Sequence, residues 1–126
     1  MTTILQAAIA ALLLTAPCDT PLACAIEHVE SRGNTWAVSP AGARGLRQVM
    51  PGVSSVWPPL LHVPMVGRAE GDRVLARWMH RCGRKRGARS QLRCALRAYA
   101  CGHRGLRDGY CESYADAVLR RAESQP

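Results

Sequence analysis

Apolar residues recur along the chain at the spacing expected of helices. A nearly continuous apolar run occupies residues 4–16 and is followed by a break at Pro17. Beyond the break, apolar side chains three and four positions apart predict a helix over residues 21–31. Thr20 is a suitable capping residue for this helix, and Gly33 is a suitable stop. The first third of the chain therefore contains two segments with helical patterns.

The same periodicity returns in the second half of the chain. It predicts a helix over residues 74–82, another over residues 90–101 and a last one over residues 109–122. Ser90 is the expected cap of the second of these helices, and Gly102 is its expected stop. Together with the first segments, these patterns predict an all-α domain of about five helices.

The stretch between residues 34 and 64 has no sustained period and is rich in Gly, Pro, Ser and Asn. This composition predicts a structured loop, with one short helix over residues 45–50. Prolines after that helix keep the remainder irregular. Trp57, Leu60 and Leu61 are the expected core anchors of this stretch.

Length and composition narrow the class of protein. A chain of 126 residues is long enough for one domain with one apolar core and too short for two. Its formal net charge of +8 predicts attraction to polyanions such as nucleic acid, anionic lipid or acidic wall polymers. Apart from a cluster over residues 84–89, the arginines are scattered, so no specific nucleic-acid module is predicted.

The chain has six cysteines, an even number at high density. This usage predicts disulfides and an oxidising compartment, although free core thiols are an alternative. No Cys-x-x-Cys pair is present and no histidine stands at zinc-finger spacing, so we predict no metal site. Cys101 and Cys111 bracket a short loop that contains glycine and are a candidate pair, whereas the other pairings stay open.

The apolar run near the N-terminus has the length of a signal-peptide core and is shorter than a membrane span. The first three residues carry no Lys or Arg, which departs from a typical signal. We rank an export signal first, a membrane anchor second and a core helix third. This ranking predicts an export or anchor segment over residues 1–19, one folded domain over residues 20–126, and a location in the periplasm or cell envelope.

One stretch carries a recognisable motif: residues 30–51 read ESRGNTWAVSPAGARGLRQVMP. It closely resembles the signature of the soluble lytic transglycosylases, which is Glu-Ser, Asn, Ala-Val-Ser, Gly-Ala, Gly-Leu-Met-Gln and Met-Pro. Residues 98–102 resemble the family's Ala-Tyr-Asn-Ala-Gly, and residues 112–119 resemble its closing helix. The resemblance spans residues 22–122 and implies a lysozyme-like fold that cleaves peptidoglycan glycan strands between MurNAc and GlcNAc, without a metal or organic cofactor.

The resemblance also implies roles for individual residues. Glu30 matches the catalytic acid and base of the family, and Ser31 and Gln48 match residues that hold the substrate near it. Tyr99 would line the glycan groove, and Tyr114 would orient the catalytic carboxyl group. Each supporting residue has a simpler alternative, namely a helix cap for the serine, a solvated side chain for the glutamine and ordinary core packing for the tyrosines.

The position of Glu30 agrees with that role. It falls in the last turn of a predicted helix, where the helix dipole raises the pKa of a carboxyl group and favours its proton-donating form. Glycoside hydrolases use two carboxylates, yet no Asp or Glu occurs between residues 30 and 70. The family chemistry needs only one, because the same Glu then accepts the proton of the sugar's 6-hydroxyl and leaves a 1,6-anhydro end. Candidates for a distant second carboxylate are Asp72, Asp108 and Glu112.

Two departures from the motif leave other functions open. Arg47 replaces the methionine of Gly-Leu-Met-Gln, and Ala100 replaces the asparagine after the tyrosine. The guanidinium is expected either to reach a substrate carboxylate or to disturb a subsite. The alternatives are a phage endolysin or muramidase of the same fold, and a catalytically degenerate glycan-binding part of a virion or secretion machine. Virion or secretion-complex proteins would then be partners, beside peptidoglycan and a transient membrane contact of the N-terminus.

Overall fold

The all-α prediction is confirmed by the computed structural model, which describes residues 2–125 and the side chains of residues 3–11 and 16–125. This part of the chain holds six α-helices rather than about five, and no strand. They are α1 (Thr2–Thr15), α2 (Pro21–Ser31), α3 (Pro64–Cys82), α4 (Ala88–Cys101), α5 (His103–Asp108) and α6 (Glu112–Ser124). Two short 3₁₀ helices cover Pro51–Val53 and Pro58–His62.

The chain forms two compact units, and their boundary falls inside α3. The N-terminal unit ends at Gly71 and the C-terminal unit begins at Asp72. Each unit has its own buried apolar side chains, such as Ile26 and Leu61 in the first and Leu96 in the second.

The apolar run at the N-terminus is helical, as α1. Its side chains over residues 3–11 are exposed, including those of Ile4, Leu5 and Ile9, so this part of α1 is not a core helix. Among the described residues, no helix is both long enough and apolar enough to cross a membrane. The assignment of residues 1–19 to an export signal or an anchor stays a prediction.

Helix α2 begins and ends where the local signals predict. Thr20 Oγ1 accepts a hydrogen bond from the Ala23 N–H at 3.1 Å, and Pro21 is the first helical residue. At the other end, Arg32 adopts a left-handed φ of 51°, and its N–H donates to the His28 carbonyl oxygen. The last turn of α2 therefore carries Glu30 and Ser31, which we call the predicted catalytic segment.

The short helix predicted over residues 45–50 is wrong. Gly45 and Gln48 have φ angles of 78° and 49°, which are incompatible with a right-handed helix. The residues form a tight turn instead, and Arg44 and Val49 on either side of it make an antiparallel bridge. We refer to residues 45–48 as the motif turn.

Two of the three predicted anchors of the middle stretch are wrong. Trp57 is 68% exposed and Leu60 is 39% exposed, whereas Leu61 is fully buried. The backbone carbonyl of Leu61 lies against Gly45 and Gly67, where no Cβ atom would fit. Helix α3 also begins ten residues earlier than predicted, because proline at a first helical position needs no hydrogen-bond partner for its nitrogen.

The C-terminal unit is built on α4, against which α5 and α6 pack. The predicted cap Ser90 lies inside α4, which follows Gly87 and makes no side-chain cap hydrogen bond, while Gly102 ends the helix as expected. Helix α5 was not predicted, and the last helix begins at Glu112 rather than near residue 109.

All six cysteines are paired. The predicted Cys101–Cys111 disulfide is confirmed, and it joins the end of α4 to the start of α6. Two further disulfides are Cys18–Cys24, in the N-terminal unit, and Cys82–Cys94, which joins the end of α3 to α4. The alternative of free core thiols is therefore wrong for this structure.

Candidate active site

Glu30 lies half-buried in the last turn of α2, and its neighbour Ser31 ties that turn to the motif turn. The Ser31 hydroxyl lies 3.0 Å from the Glu27 carbonyl oxygen and 2.9 Å from the Leu46 carbonyl oxygen, both of which can accept its hydrogen bond. The first contact is within the helix, whereas the second spans 15 positions. Ser31 therefore holds together two segments of the motif that are separate in sequence.

Gln48 closes the motif turn from the other side. Its side-chain Nε2 donates to the Ala37 carbonyl oxygen at 3.1 Å and to the Gly45 carbonyl oxygen at 3.0 Å. The Gly45 N–H also donates to Ala37, at 2.9 Å. Gln48 is therefore not a merely solvated side chain, because its amide group holds the backbone beside the predicted catalytic segment. The substrate contact implied for it stays a prediction.

A buried ionic cluster lies beneath these residues and was missed in the sequence. Glu27 is 5% exposed and Arg47 is 2% exposed, and Arg47 Nε donates to Glu27 Oε2 at 3.1 Å. Arg68, from α3, donates to both carboxylate oxygens at 3.0 Å and also to the Ala16 carbonyl oxygen. We call Glu27, Arg47 and Arg68 the buried ionic cluster.

This cluster explains the departure of the motif at Arg47. The guanidinium does not extend toward solvent, where it would meet a substrate carboxylate, because it is buried against the carboxylate of Glu27. A buried acid on the apolar face of α2 requires a compensating charge. In the sequence, only two unusual residues indicate this cluster. Glu27 is an acid on the apolar face of a helix, and Arg47 stands where the family motif has methionine.

Tyr99 and Tyr114 belong to the C-terminal unit. Tyr99 lies in α4 and Tyr114 in α6, and both are half-buried. Ala100, which stands where the family has asparagine, is exposed beside Tyr99. The roles implied for the tyrosines toward the substrate and Glu30 stay predictions.

Other carboxylates are held by protein groups. Ser54 donates to Glu70 Oε2 at 2.8 Å in the N-terminal unit. In the C-terminal unit, Glu112 accepts hydrogen bonds from Arg93 at 2.5 Å and from Arg97 at 3.1 Å. Among the candidates for a distant second carboxylate, Glu112 is thus engaged by two guanidinium groups, and Asp108 is exposed at the end of α5.

Arg93 also shifts the pKa of a carboxyl group in this unit. It donates to Asp116 at 2.5 Å, and this hydrogen bond lowers the pKa of the Asp116 carboxyl below its ordinary value. The same hydrogen bond, followed by that to Glu112, raises the pKa of Arg93. Arg93 therefore joins α4 to α6 through two carboxylates.

A concave feature lies within the C-terminal unit. This cavity of about 450 Å³ has four basic side chains in its lining and no acidic one. The basic residues are Lys85, Arg86, Arg97 and Arg107. Within residues 2–125, no cluster of three or more His, Cys, Asp or Glu side chains is arranged to hold a metal ion.

Comparison with protein families identifies the chain. The family model described as Transglycosylase SLT domain matches residues 8–117. The chain belongs to this family. The match includes Glu30, Ser31, Gln48, Tyr99 and Tyr114 and therefore all the residues inferred from the motif. Searches of curated proteins and of solved structures gave no significant match.

Family membership defines the general chemistry. An SLT domain is a lysozyme-like, all-α domain of the lytic transglycosylase kind, which acts on the glycan of peptidoglycan. Such a domain works on the cell wall, and the three disulfides agree with an extracytoplasmic protein. The match begins inside α1, so part of the N-terminal apolar run is included in it.

Proposed function

We propose that the protein is a peptidoglycan lytic transglycosylase that cleaves the MurNAc–GlcNAc bond and leaves 1,6-anhydro ends, with Glu30 as its single acid and base. The observation that carries this proposal is the motif turn joined to the end of α2. Ser31 and Gln48 bind the backbone of one loop, and Glu30 is the carboxylate next to that junction.

The state of Glu27 supports a single catalytic carboxylate. Glu27 is the other acid on α2, and at three residues from Glu30 it shares the same helix face. Glu27 is 5% exposed and accepts hydrogen bonds from Arg47 and Arg68 on both oxygens, which argues against a role for it as a nucleophile or as a base for water. A hydrolase would need a second carboxylate near Glu30.

The chemistry then proceeds through one group. Glu30 in its protonated form donates to the glycosidic oxygen as the bond to C1 of MurNAc breaks. The carboxylate that results accepts the proton of the 6-hydroxyl of the same sugar, and the 6-oxygen closes on C1. Glu30 lies at the negative end of the α2 dipole, which favours the protonated form that donates the first proton. No water is consumed, so the product keeps an anhydro ring.

The remaining assignments follow the family pattern. Ser31 and Gln48 position the substrate beside Glu30, and Tyr99 and Tyr114 have the supporting roles that the family pattern implies for them. The polypeptide is exported and works in the periplasm or cell envelope, with residues 1–19 as the export signal or anchor.

The test is the variant Glu30→Gln, which retains size and packing but cannot transfer the proton. Turnover of purified sacculi should fall by at least about 100-fold, the usual effect of losing a general acid or base. Glu70→Gln is the matched control, because Glu70 is another carboxylate of the same unit whose described partner is Ser54. Its turnover should stay near that of the wild type, and thermal melting of each variant checks that the protein is folded.

Mass spectrometry of the wild-type digest distinguishes the alternatives. Anhydro ends and reducing ends differ by the mass of one water. Reducing ends alone would identify a hydrolase, such as an endolysin or muramidase. Binding to sacculi with no released product would identify a degenerate glycan-binding protein of a virion or secretion machine. Full activity of Glu30→Gln would overturn the assignment of Glu30.

A further inference from the structure

We infer that Trp36, supported by His62, is a sugar-stacking platform that binds one pyranose ring of the glycan strand. The inference rests on the proposed function for the identity of the glycan, but it concerns binding rather than catalysis. Trp36 lies in the motif between Asn34 and the Ala-Val-Ser segment, and no role follows for it from the motif pattern.

The indole of Trp36 is exposed and yet held in position. Its side chain belongs to a residue that is 74% exposed, although tryptophan carries one of the largest apolar surfaces of any residue. One side of the ring stacks on His62, with the ring centroids 5.6 Å apart and an angle of 23° between the planes. His62 therefore covers part of one face of the indole, and the exposure of Trp36 shows that most of this residue is open to solvent.

The supporting ring is itself fixed by a hydrogen bond. His62 Nδ1 donates to the Thr35 carbonyl oxygen at 2.8 Å, which joins the ring to the residue before Trp36. The Trp36 N–H donates to Asn34 Oδ1 at 3.0 Å, so the backbone is restrained as well. An exposed aromatic side chain that is already ordered loses little conformational entropy when a ligand binds.

The platform is joined by hydrogen bonds to the predicted catalytic segment. Ala37, the next residue, accepts hydrogen bonds from Gly45 and Gln48 of the motif turn. The same turn is bound to the end of α2 through Leu46 and Ser31. The platform and the catalytic segment therefore belong to one connected piece of the N-terminal unit.

The chemistry of an open indole face selects the ligand. A β-1,4-linked pyranose with equatorial substituents presents a flat face of C–H groups, which packs against an aromatic ring while the hydroxyl groups remain in water. MurNAc and GlcNAc both have this shape. A flat, uncharged and largely exposed ring is less suited to a free carboxylate or phosphate, which would be bound by charged donors.

The experiment measures binding of the GlcNAc tetramer chitotetraose by calorimetry, with all proteins carrying Glu30→Gln so that no turnover occurs. Adding Trp36→Ala should raise the dissociation constant about tenfold, the scale of one lost aromatic contact. Trp36→Phe should retain most of the affinity, because a flat ring remains. Trp57→Ala is the matched control, since Trp57 is also exposed in this unit and has no described ring partner.

An unchanged dissociation constant for Trp36→Ala, equal losses for Trp36→Ala and Trp57→Ala, or no binding by the parent protein would each overturn the inference. Thermal melting checks that every variant is folded. The proposed function is judged separately by the release of anhydro products from sacculi by the protein with Glu30 intact. If that release fails while binding depends on Trp36, the catalytic proposal is wrong and the platform stands. If anhydro products are released while chitotetraose binding does not depend on Trp36, only the inference about the platform is wrong.

Discussion

At the scale of single residues, the buried ionic cluster has the largest expected effect on stability. Glu27 and Arg47 are almost completely buried, and Arg68 joins them from α3. Removing one member of a buried pair leaves an uncompensated charge in the interior, which usually costs more than the pair contributes. The stability of the folded protein should therefore depend on this cluster.

We predict that Glu27→Gln lowers the free energy of unfolding by about 3–5 kcal/mol, because Arg47 and Arg68 lose the carboxylate they share. Urea denaturation of the oxidised protein measures the change. Adding Arg47→Met, the residue that the family pattern has, should recover part of the loss because it removes the buried cation.

The control for this prediction is Glu123→Gln. Glu123 pairs with Arg89 at 2.6 Å, but both side chains are more than half exposed. A surface pair of this kind contributes about 0–1 kcal/mol, so the variant should unfold almost like the wild type. Equally small losses for Glu27→Gln and Glu123→Gln would show that the cluster is not the electrostatic anchor described here.

A second residue-scale prediction concerns the pH dependence of Asp116. Its pKa is lowered chiefly by the hydrogen bond from Arg93, so its ionised form is favoured in the folded state. The stability that it contributes is present above the unfolded pKa of about 3.9 and is lost as the pH falls through the lower folded pKa. Arg93→Gln should therefore move the carboxyl titration of Asp116 to higher pH, as measured by carbon NMR.

Arg89→Gln serves as the control for the titration, because Arg89 pairs with Glu123 and makes no described contact with Asp116. Its Asp116 midpoint should match that of the wild type. A midpoint that stays in place after Arg93→Gln would contradict the stated cause of the lowered pKa.

At the scale of helices, the close approach of α5 to α4 depends on Gly105. A Cβ atom at this position would lie 2.2 Å from the Arg97 carbonyl oxygen and 2.5 Å from its carbonyl carbon. The Arg97 Nε also donates to the Gly105 carbonyl oxygen at 3.3 Å. The two helices therefore meet through backbone atoms. Backbone atoms cannot avoid an added Cβ atom by changing a side-chain rotamer, so the helices themselves would have to shift.

We predict that Gly105→Ala lowers the free energy of unfolding by about 1–3 kcal/mol, as overpacking of a core does. The direction is informative, because alanine in a helix is otherwise favoured over glycine by about 1 kcal/mol. Gly52→Ala is the comparison, since a Cβ atom there meets no atom within 4 Å. Thermal unfolding of both variants measures the difference, and a stabilised Gly105→Ala would contradict the described packing.

At the scale of the whole molecule, the formal net charge of +8 predicts salt-sensitive binding to anionic walls. Interactions between exposed charges are screened over about 8 Å at physiological ionic strength and over about 3 Å at 1 M salt. Sedimentation with purified sacculi at rising salt should therefore show a steep fall in the bound fraction. A flat response would mean that uncharged contacts dominate binding.

Two matched double variants test which positive charges contribute most to binding of the anionic wall. Lys85→Gln with Arg86→Gln removes two positive charges from the basic cavity of the C-terminal unit. Arg120→Gln with Arg121→Gln removes the same number from exposed positions of α6. We expect the first pair to reduce the low-salt binding more, because its charges lie beside other cations with no acid in the lining.

Local signals were enough for several features of this protein. Thr20, Pro21 and Gly33 predicted α2 because capping and backbone preferences act within a few residues of the chain. The disulfide between Cys101 and Cys111 followed from a short loop for the same reason. The proposed site around Glu30 rests on the family motif, whose residues lie close together in sequence.

Other features were decided only by the tertiary structure. The partners of Glu27 are 20 and 41 residues away in the chain, so no local pattern indicated that Arg47 would be buried. Trp36 and Trp57 are exposed although they are apolar, whereas Leu61 of the same part of the chain is fully buried. A sequence pattern records the type of each side chain, whereas burial and charge pairing depend on which distant segments fold against it. The physical reason is that the free energies of burial and of charge pairing arise from contacts between distant segments, and those contacts exist only in the folded chain.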